Sequence, residues 1–310
     1  MTDYNIKNKL LNYFGKNIKP VFQALDSSYF KDVEEIRIRL NKNIIIKSKN
    51  NKEYIVKYGN VAYTPTSLDI NQTIEIMSDY SIYSFEQEIK NGFITLKGGF
   101  RVGLTGKVIT AIDKNNNSYI KTIKNISSIN IRVAREVKGV AQNLVETIFK
   151  NNVKNTIIIS PPNCGKTTLL RDLIRIISDN GYNVGVVDER SEIASCYNGI
   201  ASLDVGLRTD ILDRCSKPEG MIMLLRSMSP DVIAVDEIGG IKDIEAIEKV
   251  SNSGVKIICS IHAKNIDELR GKKDMGYILD KKIFERFVVL NRLDGECNIE
   301  GIYNIKYNKI

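Results

Sequence analysis

The chain has 310 residues, of which 43% are hydrophobic and 26% are charged, and its net charge is +8. This is the composition of a globular protein long enough for two domains, and it excludes collagen-like and low-complexity chains. It contains no membrane-length apolar stretch, signal-peptide core or C-x-x-C pair, so we expect a cytosolic protein whose five cysteines are reduced thiols.

Residues 1–138 are predicted to form a small α+β domain. Apolar residues at helical spacing indicate helices over 4–15, 69–83 and 85–91. Alternating or β-branched runs predict strands at 34–40, 44–46, 54–58, 93–96, 100–104, 108–112 and 129–133, with a polar loop at 113–118. Gly139 marks the expected boundary, and a helix over 140–150 leads into a second domain at 139–310.

Positive charge is concentrated in the first half of the chain. Residues 1–150 hold 23 Lys and Arg against 14 Asp and Glu, whereas the remainder holds 22 against 23. This excess has two alternative explanations. One is a solvated lysine-rich surface, and the other is a domain that meets an acidic partner, a membrane surface or nucleic acid. Nucleic acid is the least favoured partner, because no arginine-rich cluster or basic–aromatic interleaving is present.

The second domain alternates strands with helices, which predicts a parallel sheet with right-handed crossovers. Strands are expected at 156–159, 184–187, 232–235 and 255–259, helices at 221–228 and 243–252, and an antiparallel edge pair at 287–290 and 301–305. In such sheets the functional residues gather at the carboxyl ends of the strands.

The first of these strands leads into Ser160-Pro-Pro-Asn-Cys-Gly-Lys-Thr167. Except for Ser160, this segment fits the phosphate-binding loop pattern G-x-x-x-x-G-K-[ST], and an amphipathic helix follows it. Because Pro161 and Pro162 lack N–H groups, the backbone cradle is expected from the residues after them, Asn163, Cys164, Gly165, Lys166 and Thr167. We expect Lys166 to neutralise the β- and γ-phosphates and the Thr167 hydroxyl to bind Mg²⁺.

Acidic residues follow two other strands. Asp236 is expected to hold Mg²⁺ through water, and Glu237 to orient or deprotonate the attacking water. Asp188, Glu189 and Glu192 form an acidic box after the neighbouring strand. This box either supplies further ligands for Mg²⁺ or water, or is a capped and salt-bridged turn.

His262 is the chain's only histidine and follows the strand at 255–259. A single histidine is often a core or capping residue. At a strand end beside a phosphate site, however, it is better placed to sense the γ-phosphate than to bind metal, because no second His or Cys is near it in sequence.

Several motifs together resemble the stage III sporulation protein AA family. They span nearly the whole chain: residues 92–103 (GFITLKGGFRVG), 126–136 (ISSINIRVARE), 160–172 (SPPNCGKTTLLRD), 187–194 (VDERSEIA) and 226–239 (RSMSPDVIAVDEIG). This family is similar to the secretion and pilus ATPases of types II and IV. The resemblance implies a homo-hexameric ATPase at the cytoplasmic face of a membrane channel between mother cell and forespore, with membrane proteins of that assembly as partners.

The resemblance also implies roles for individual residues. Lys166, Thr167 and Thr168 match the family's phosphate loop, in which serine is usual at position 160. Glu237 matches the catalytic glutamate, and Ser260-Ile-His262 matches the histidine box. Asp188, Glu189 and Glu192 match the acidic box, in which Glu189 is implied to be a further catalytic residue. The Glu–Asp order of the secretion enzymes is reversed in this box. Asp236 stands where the secretion enzymes usually have Gly. Arg101 and Arg132 match arginines with which the N-terminal domain reaches a nucleotide.

We therefore predict an α+β N-terminal domain followed by a RecA-like α/β P-loop ATPase core. Its cofactors are ATP and Mg²⁺, with no other small-molecule substrate, and it performs conformational work on a membrane complex. Two alternatives remain from other classes. One is a nucleic-acid-handling RecA-like ATPase, and the other is a non-hydrolysing nucleotide switch or scaffold.

Overall fold

The computed structural model describes residues 3–49, 52–81, 85–133, 136–149, 152–162, 164–293 and 296–310. The chain divides into two compact units, Met1–Arg135 and Glu136–Ile310. No helix in these described ranges combines the length and the apolar character needed to cross a bilayer.

The N-terminal unit is an antiparallel sheet with short helices packed against it. The helices are α1 (Asp3–Leu11), α2 (Ile18–Ala24), α3 (Ser67–Met77) and α4 (Glu86–Lys90). The strands are β1 (Val33–Arg39), β2 (Lys42–Ser48), β3 (Lys52–Ile55), β4 (Lys57–Tyr58), β5 (Val61–Ala62), β6 (Phe93–Leu96), β7 (Phe100–Ile112) and β8 (Ser118–Val133). The sheet has the order β3-β2-β1-β8-β7-β6, and β4 pairs separately with β5.

Two predictions for this unit were wrong at the β7–β8 hairpin. The expected strands 100–104 and 108–112 form one strand, and β8 begins at Ser118 instead of residue 129. Gly106 reads as a strand breaker in the sequence, but the strand continues past it through a register shift between Thr105 and Lys107. A Cβ at Gly106 would lie 2.6 Å from the Lys124 carbonyl oxygen, so only glycine fits this close approach.

The C-terminal unit is the predicted α/β sheet. Its helices are α5 (Val145–Phe149), α6 (Lys166–Asp179), α7 (Lys217–Ser227), α8 (Ile241–Asn252), α9 (Ile266–Gly271) and α10 (Lys273–Asp280). Its strands are β9 (Thr156–Ser160), β10 (Val184–Asp188), β11 (Thr209–Asp213), β12 (Val232–Val235), β13 (Lys256–His262), β14 (Arg286–Leu293) and β15 (Glu296–Asn304).

The strand order is β11-β10-β12-β13-β9-β14-β15, and the pairs are parallel except for β14 with β15. Alternate residues of the central strands enter two separate cores. Ile158 packs with Leu170 and Leu173 of α6, whereas Ile157 and Ile159 share the other core with residues of α7 and α8. Helices therefore cover both faces, as expected for a RecA-like sheet.

The terminal strand pair is antiparallel as predicted, but only β15 lies at the edge. β14 is inserted beside β9 and runs parallel to it. The opposite edge is β11, which the sequence analysis missed because Thr209–Asp213 has only two apolar residues and is nowhere fully buried.

Gly220 allows α7 to pack closely on β10, the strand that ends at Asp188. A Cβ at Gly220 would lie 2.5 Å from the Val187 side chain, whereas one at Gly276 in α10 would meet nothing within 4 Å. Both Gly→Ala changes stabilise their helix by about 1 kcal/mol through higher helix propensity. At Gly220 the added methyl group also overpacks the core, which costs about 1–3 kcal/mol of stability.

We therefore expect Gly220→Ala to lower the urea midpoint of unfolding, and the matched control Gly276→Ala to leave it unchanged or raise it. The measurement is urea unfolding followed by circular dichroism. Equal midpoints for the two variants would contradict the close packing of α7 on β10.

Candidate functional site

The predicted site residues of the C-terminal unit lie at one edge of its sheet. The strands β10, β12, β13 and β9 are adjacent and parallel, so their carboxyl ends meet there. Ser160 ends β9, His262 ends β13 as its register partner, and Asp236 directly follows β12. This is the edge at which open α/β sheets bind their ligands.

The phosphate-loop segment passes from β9 directly into α6. Gly165, the residue before the helix, has a φ of +72°, a left-handed conformation in which glycine is not strained. Because Gly165 has no side chain to cap the helix, the N–H groups of Lys166, Thr167 and Thr168 are the ones that an anion would meet. The backbone therefore fits a phosphate group at this helix start.

The remaining loop residues are positioned by their own contacts. Ser160 is fully buried and its hydroxyl donates to the Pro161 carbonyl oxygen at 2.7 Å. Cys164 is buried and its thiol donates to the Asn291 carbonyl oxygen at 3.0 Å. Pro162 is exposed and Thr168 is half-buried, and Asn163 lies outside the described residues.

Lys166 contacts the single histidine. Its Nζ lies 2.9 Å from Nδ1 and 3.1 Å from Nε2 of His262, and Nε2 lies 3.4 Å from Oε1 of Glu237. An ammonium group can only donate and a carboxylate can only accept, so Nδ1 is placed to accept from Lys166 and Nε2 to donate to Glu237. His262 then links Lys166 to Glu237.

Burial lowers the pKa of Lys166. The residue is 7% exposed, and this desolvation lowers the pKa of its ammonium group, while the nearby carboxylates of Asp236, Glu237 and Glu192 oppose the shift. A buried cation at a helix N-terminus is suited to an anionic ligand.

Asp236 joins the phosphate loop to the end of β12. The Thr167 hydroxyl donates to its Oδ2 at 2.7 Å, and the Ser260 hydroxyl donates to its Oδ1. Hydroxyl and carboxylate oxygens are the ligands that Mg²⁺ prefers, and Mg²⁺ in nucleotide sites takes one or two such groups together with phosphates. The donor set therefore fits the predicted metal.

Glu237 is held in an uncommon backbone conformation. Its φ is +48°, in the left-handed region, and its N–H donates to the Ser260 hydroxyl at 2.9 Å. Its half-buried carboxylate lies between His262 and Arg190, whose Nη1 is 3.3 Å from Oε2. Backbone strain of this kind is concentrated at functional sites.

Ser260 is a site residue that sequence reasoning missed, although it stands in the Ser-Ile-His motif. Its hydroxyl supports both Asp236 and Glu237 from the strand between β12 and β9. It is fully buried. A serine in an otherwise apolar, buried strand segment is the signal that could have identified it.

Asp188 caps a turn, which is the structural alternative considered for the acidic box. Its buried carboxylate accepts the N–H groups of Glu192, Ile193 and Ala194 at 2.8, 3.0 and 2.9 Å. Burial raises the pKa of Asp188 to about 6, although these three hydrogen bonds favour the charged form. From α6, Arg171 donates to the Glu192 and Ile193 carbonyl oxygens, which fastens the same loop to the phosphate-loop helix.

Glu189 lies at the mouth of the site. Its carboxylate accepts from Lys217 Nζ, and both side chains line an acidic pocket with Asp236 and Glu237. Glu189 therefore lies near Glu237, the residue expected to activate water, but its own carboxylate forms an ion pair with Lys217.

Arg101 and Arg132 belong to the N-terminal unit, where they are direct cross-strand partners on β7 and β8. The Arg101 guanidinium carbon lies 4.0 Å from the Phe93 ring centroid, and Arg132 Nε lies 3.9 Å from Glu35 Oε1. Their strand neighbours on the opposite face, such as Val102 and Ile131, are fully buried. The sheet therefore presents two adjacent guanidinium groups on one face.

Comparisons with known proteins agree with this architecture. The stage III sporulation protein AA of Bacillus subtilis (strain 168) is 37% identical over 302 residues, 96% of this chain and 95% of that protein. Among solved structures, the ATPase DotB of Legionella pneumophila has a TM-score of 0.59 at 14% identity, covering 88% of this chain and 77% of its own. The pilus retraction motor PilT with bound ADP has a TM-score of 0.58 at 12% identity, covering 87% and 78%.

At these low identities the structural likeness shows the fold alone, and it confirms the predicted P-loop ATPase core with a smaller N-terminal domain. The family is shown by sequence. The family model described as "Sporulation stage III, protein AA" matches residues 5–310, in agreement with the near full-length relative. The chain belongs to the sporulation stage III protein AA family.

Proposed function

We propose that this protein hydrolyses ATP to ADP and phosphate and uses the reaction to do conformational work on a sporulation membrane channel. The hydrogen bond between Thr167 and Asp236 carries this proposal, because it joins the two nucleotide-binding motifs at one point. Lys166 and Glu237 lie beside that point, linked through His262. This constellation suits phosphoryl transfer to water, in which positioning and charge supply most of the catalysis.

Each residue has a defined task in this proposal. The N–H groups at the start of α6 and the Lys166 ammonium group bind and orient the phosphates. Thr167 and Asp236 would hold Mg²⁺, which neutralises phosphate charge when bound. Glu237 accepts the proton of the attacking water, and Ser260 keeps the Glu237 backbone in place.

His262 couples phosphate binding to the catalytic carboxylate. With one N–H group of Lys166 on His262, the other two remain for phosphate oxygens, so a bound γ-phosphate shares the ammonium group with the imidazole. Because His262 also contacts Glu237, a change in that sharing reaches the group proposed to activate water. This contact supports the γ-phosphate-sensing role proposed for His262.

Family membership supports a proposal for the assembly of the protein. We place the enzyme at the cytoplasmic face of the membrane on the mother-cell side, as a homo-hexamer with membrane proteins of the channel as partners. We propose further that at least one of Arg101 and Arg132 closes the γ-phosphate side of a bound nucleotide. Two adjacent guanidinium groups on one sheet face supply the positive charge that this role requires.

Lys166→Ala tests the phosphate loop. We expect kcat/KM for ATP to fall by at least about 10²-fold, because a preorganised cation on the phosphates is lost. The measurement is phosphate release at steady state, with circular dichroism as the check of folding. Lys242→Ala, at an exposed lysine of α8, is the matched control and should retain activity. Wild-type turnover in Lys166→Ala would refute the assignment.

Glu237→Gln tests the water-activating group. We expect the variant to bind ATP with Mg²⁺ normally but to hydrolyse it more slowly by about 10²-fold or more, because an amide cannot take up the proton. Nucleotide affinity and phosphate release are measured on the same preparation. Glu245→Gln, at an exposed carboxylate on α8, serves as control. If binding and turnover fell together, Glu237 would instead be a structural or metal-binding residue.

Arg101→Ala and Arg132→Ala test the N-terminal arginines. At least one variant should keep its nucleotide affinity but lose hydrolysis, by up to about 10³–10⁵-fold if the arginine stabilises the transition state. Arg39→Ala, on β1 of the same sheet, is the control for general loss of positive charge. Full activity in both variants would exclude the role.

Mixing the inactive arginine variant with Lys166→Ala protein then locates the arginine. If it acts on the nucleotide of a neighbouring subunit, some interfaces combine an intact loop with an intact arginine, and part of the activity returns. If it acts within its own subunit, the mixture stays inactive.

A further inference from the structure

Arg171 carries a buried guanidinium group on the helix that starts at the phosphate loop. It lies in α6, the same helix as Lys166, and is 6% exposed. Its Nη2 donates to the Glu192 carbonyl oxygen at 2.7 Å, and its Nε donates to the Ile193 carbonyl oxygen. The planar guanidinium fork thus spans two consecutive carbonyl groups of the loop that follows β10.

A second buried side chain holds the same stretch of loop. The carboxylate of Asp188, at the end of β10, accepts the N–H groups of Glu192, Ile193 and Ala194. Glu192 is therefore fixed at both of its backbone polar groups, since its N–H donates to Asp188 at 2.8 Å and its carbonyl oxygen accepts from Arg171. Two buried charged side chains from different elements set the position of this one residue.

The side chain of Glu192 belongs to the candidate site. It lines the same pocket as Asp236 and Glu237. Its carboxylate also favours the charged form of Lys166, against the burial that lowers the pKa of that residue. The two backbone contacts of Glu192 therefore present a further carboxylate near the phosphate-loop lysine and the glutamate proposed to activate water.

Stability alone does not explain an arginine at this position. Burial lowers the pKa of Arg171, and carboxylates such as Asp188 oppose the shift only in part. The Nη1 group of Arg171 is buried and makes no hydrogen bond within the described residues. A buried charge with an unpaired donor costs stability. What the guanidinium supplies is two donors in a fixed geometry between α6 and the loop that carries Glu192.

We propose that Arg171 is a positioning residue for hydrolysis, which holds Glu192 in place relative to the phosphate loop so that its carboxylate stays near Lys166 and Glu237 during turnover. The helix that binds the phosphates and the loop that carries this carboxylate then move as one unit. Arg171 acts through Glu192 and needs no contact with ATP. The inference rests on the proposed ATPase function, but it does not depend on what the reaction drives.

Arg171→Lys tests the position separately from the charge. The lysine keeps the buried positive charge but cannot span both carbonyl oxygens as the guanidinium fork does. We expect kcat to fall by about 10-fold to 10²-fold, the cost of a misplacement of about 1 Å in a site. KM for ATP should stay within about two-fold of the wild type, because the phosphate-binding groups of α6 are untouched. Steady-state phosphate release at varied ATP concentration gives both constants.

Two further variants separate position from stability. Arg171→Gln, whose amide can donate to one carbonyl group without a buried charge, repeats the comparison and should also lower kcat. Ile177→Ala is the matched control, because it truncates a fully buried side chain of α6 without removing a hydrogen bond to the loop. It should lower the urea midpoint of unfolding. Its folded fraction should keep the wild-type kcat.

A double-mutant cycle tests whether Arg171 acts through Glu192. If it does, Glu192→Gln lowers kcat by itself, and adding Arg171→Lys to that variant changes kcat by less than about two-fold. Two independent effects would multiply instead. The same cycle with Glu245→Gln, at an exposed carboxylate of α8, should show no coupling.

Three results would overturn the proposal while the wild-type protein still releases phosphate. They are a wild-type kcat in Arg171→Lys, equal losses of kcat in Arg171→Lys and Ile177→Ala, and multiplied losses in the cycle with Glu192→Gln. Failure of the proposed function is distinguishable from these results, because the wild-type protein itself would then release no phosphate from ATP.

Discussion

The hydrogen bond between Thr167 and Asp236 is the contact on which the candidate site depends. It connects the first turn of α6 with Asp236, the residue after β12. The strand β13 lies between β12 and β9, which leads into α6. From β13, the Ser260 hydroxyl donates to the other carboxylate oxygen of Asp236. A shift of any one of these strands along its neighbours would separate the three groups, so the sheet register sets the geometry of the site.

The same serine explains how Glu237 keeps a strained backbone. A non-glycine residue in the left-handed region costs about 1–3 kcal/mol, and one net hydrogen bond returns about 0.5–1.5 kcal/mol. The bond from Glu237 N–H to Ser260 therefore offsets part of the cost, and the contacts of the side chain with Arg190 and His262 add to it. In this conformation the carboxylate lies between the side chains of Arg190 and His262.

Sequence reasoning predicted the proximity of the candidate residues that stand at the ends of buried strands. Lys166, Asp236 and His262 follow apolar runs, and parallel strands bring their carboxyl ends together, so their proximity could be predicted. Ser260 and Arg171 could not be found in this way, because their roles depend on which strand or loop lies beside them. Sequence patterns record burial and periodicity, whereas these contacts are set by tertiary register.

The β7–β8 hairpin shows the same limit within the N-terminal unit. In the sequence, Val108 and Ile112 are in phase with Val102 and Leu104, and simple alternation would place all four in the core. At the register shift between Thr105 and Lys107 one residue of β7 lies opposite three of β8, and beyond it the even-numbered positions of β7 are exposed. Only glycine fits at position 106, because a Cβ there would lie 2.6 Å from the Lys124 carbonyl oxygen. One glycine thus separates a sheet whose apolar side chains are buried from a hairpin end whose apolar side chains are exposed.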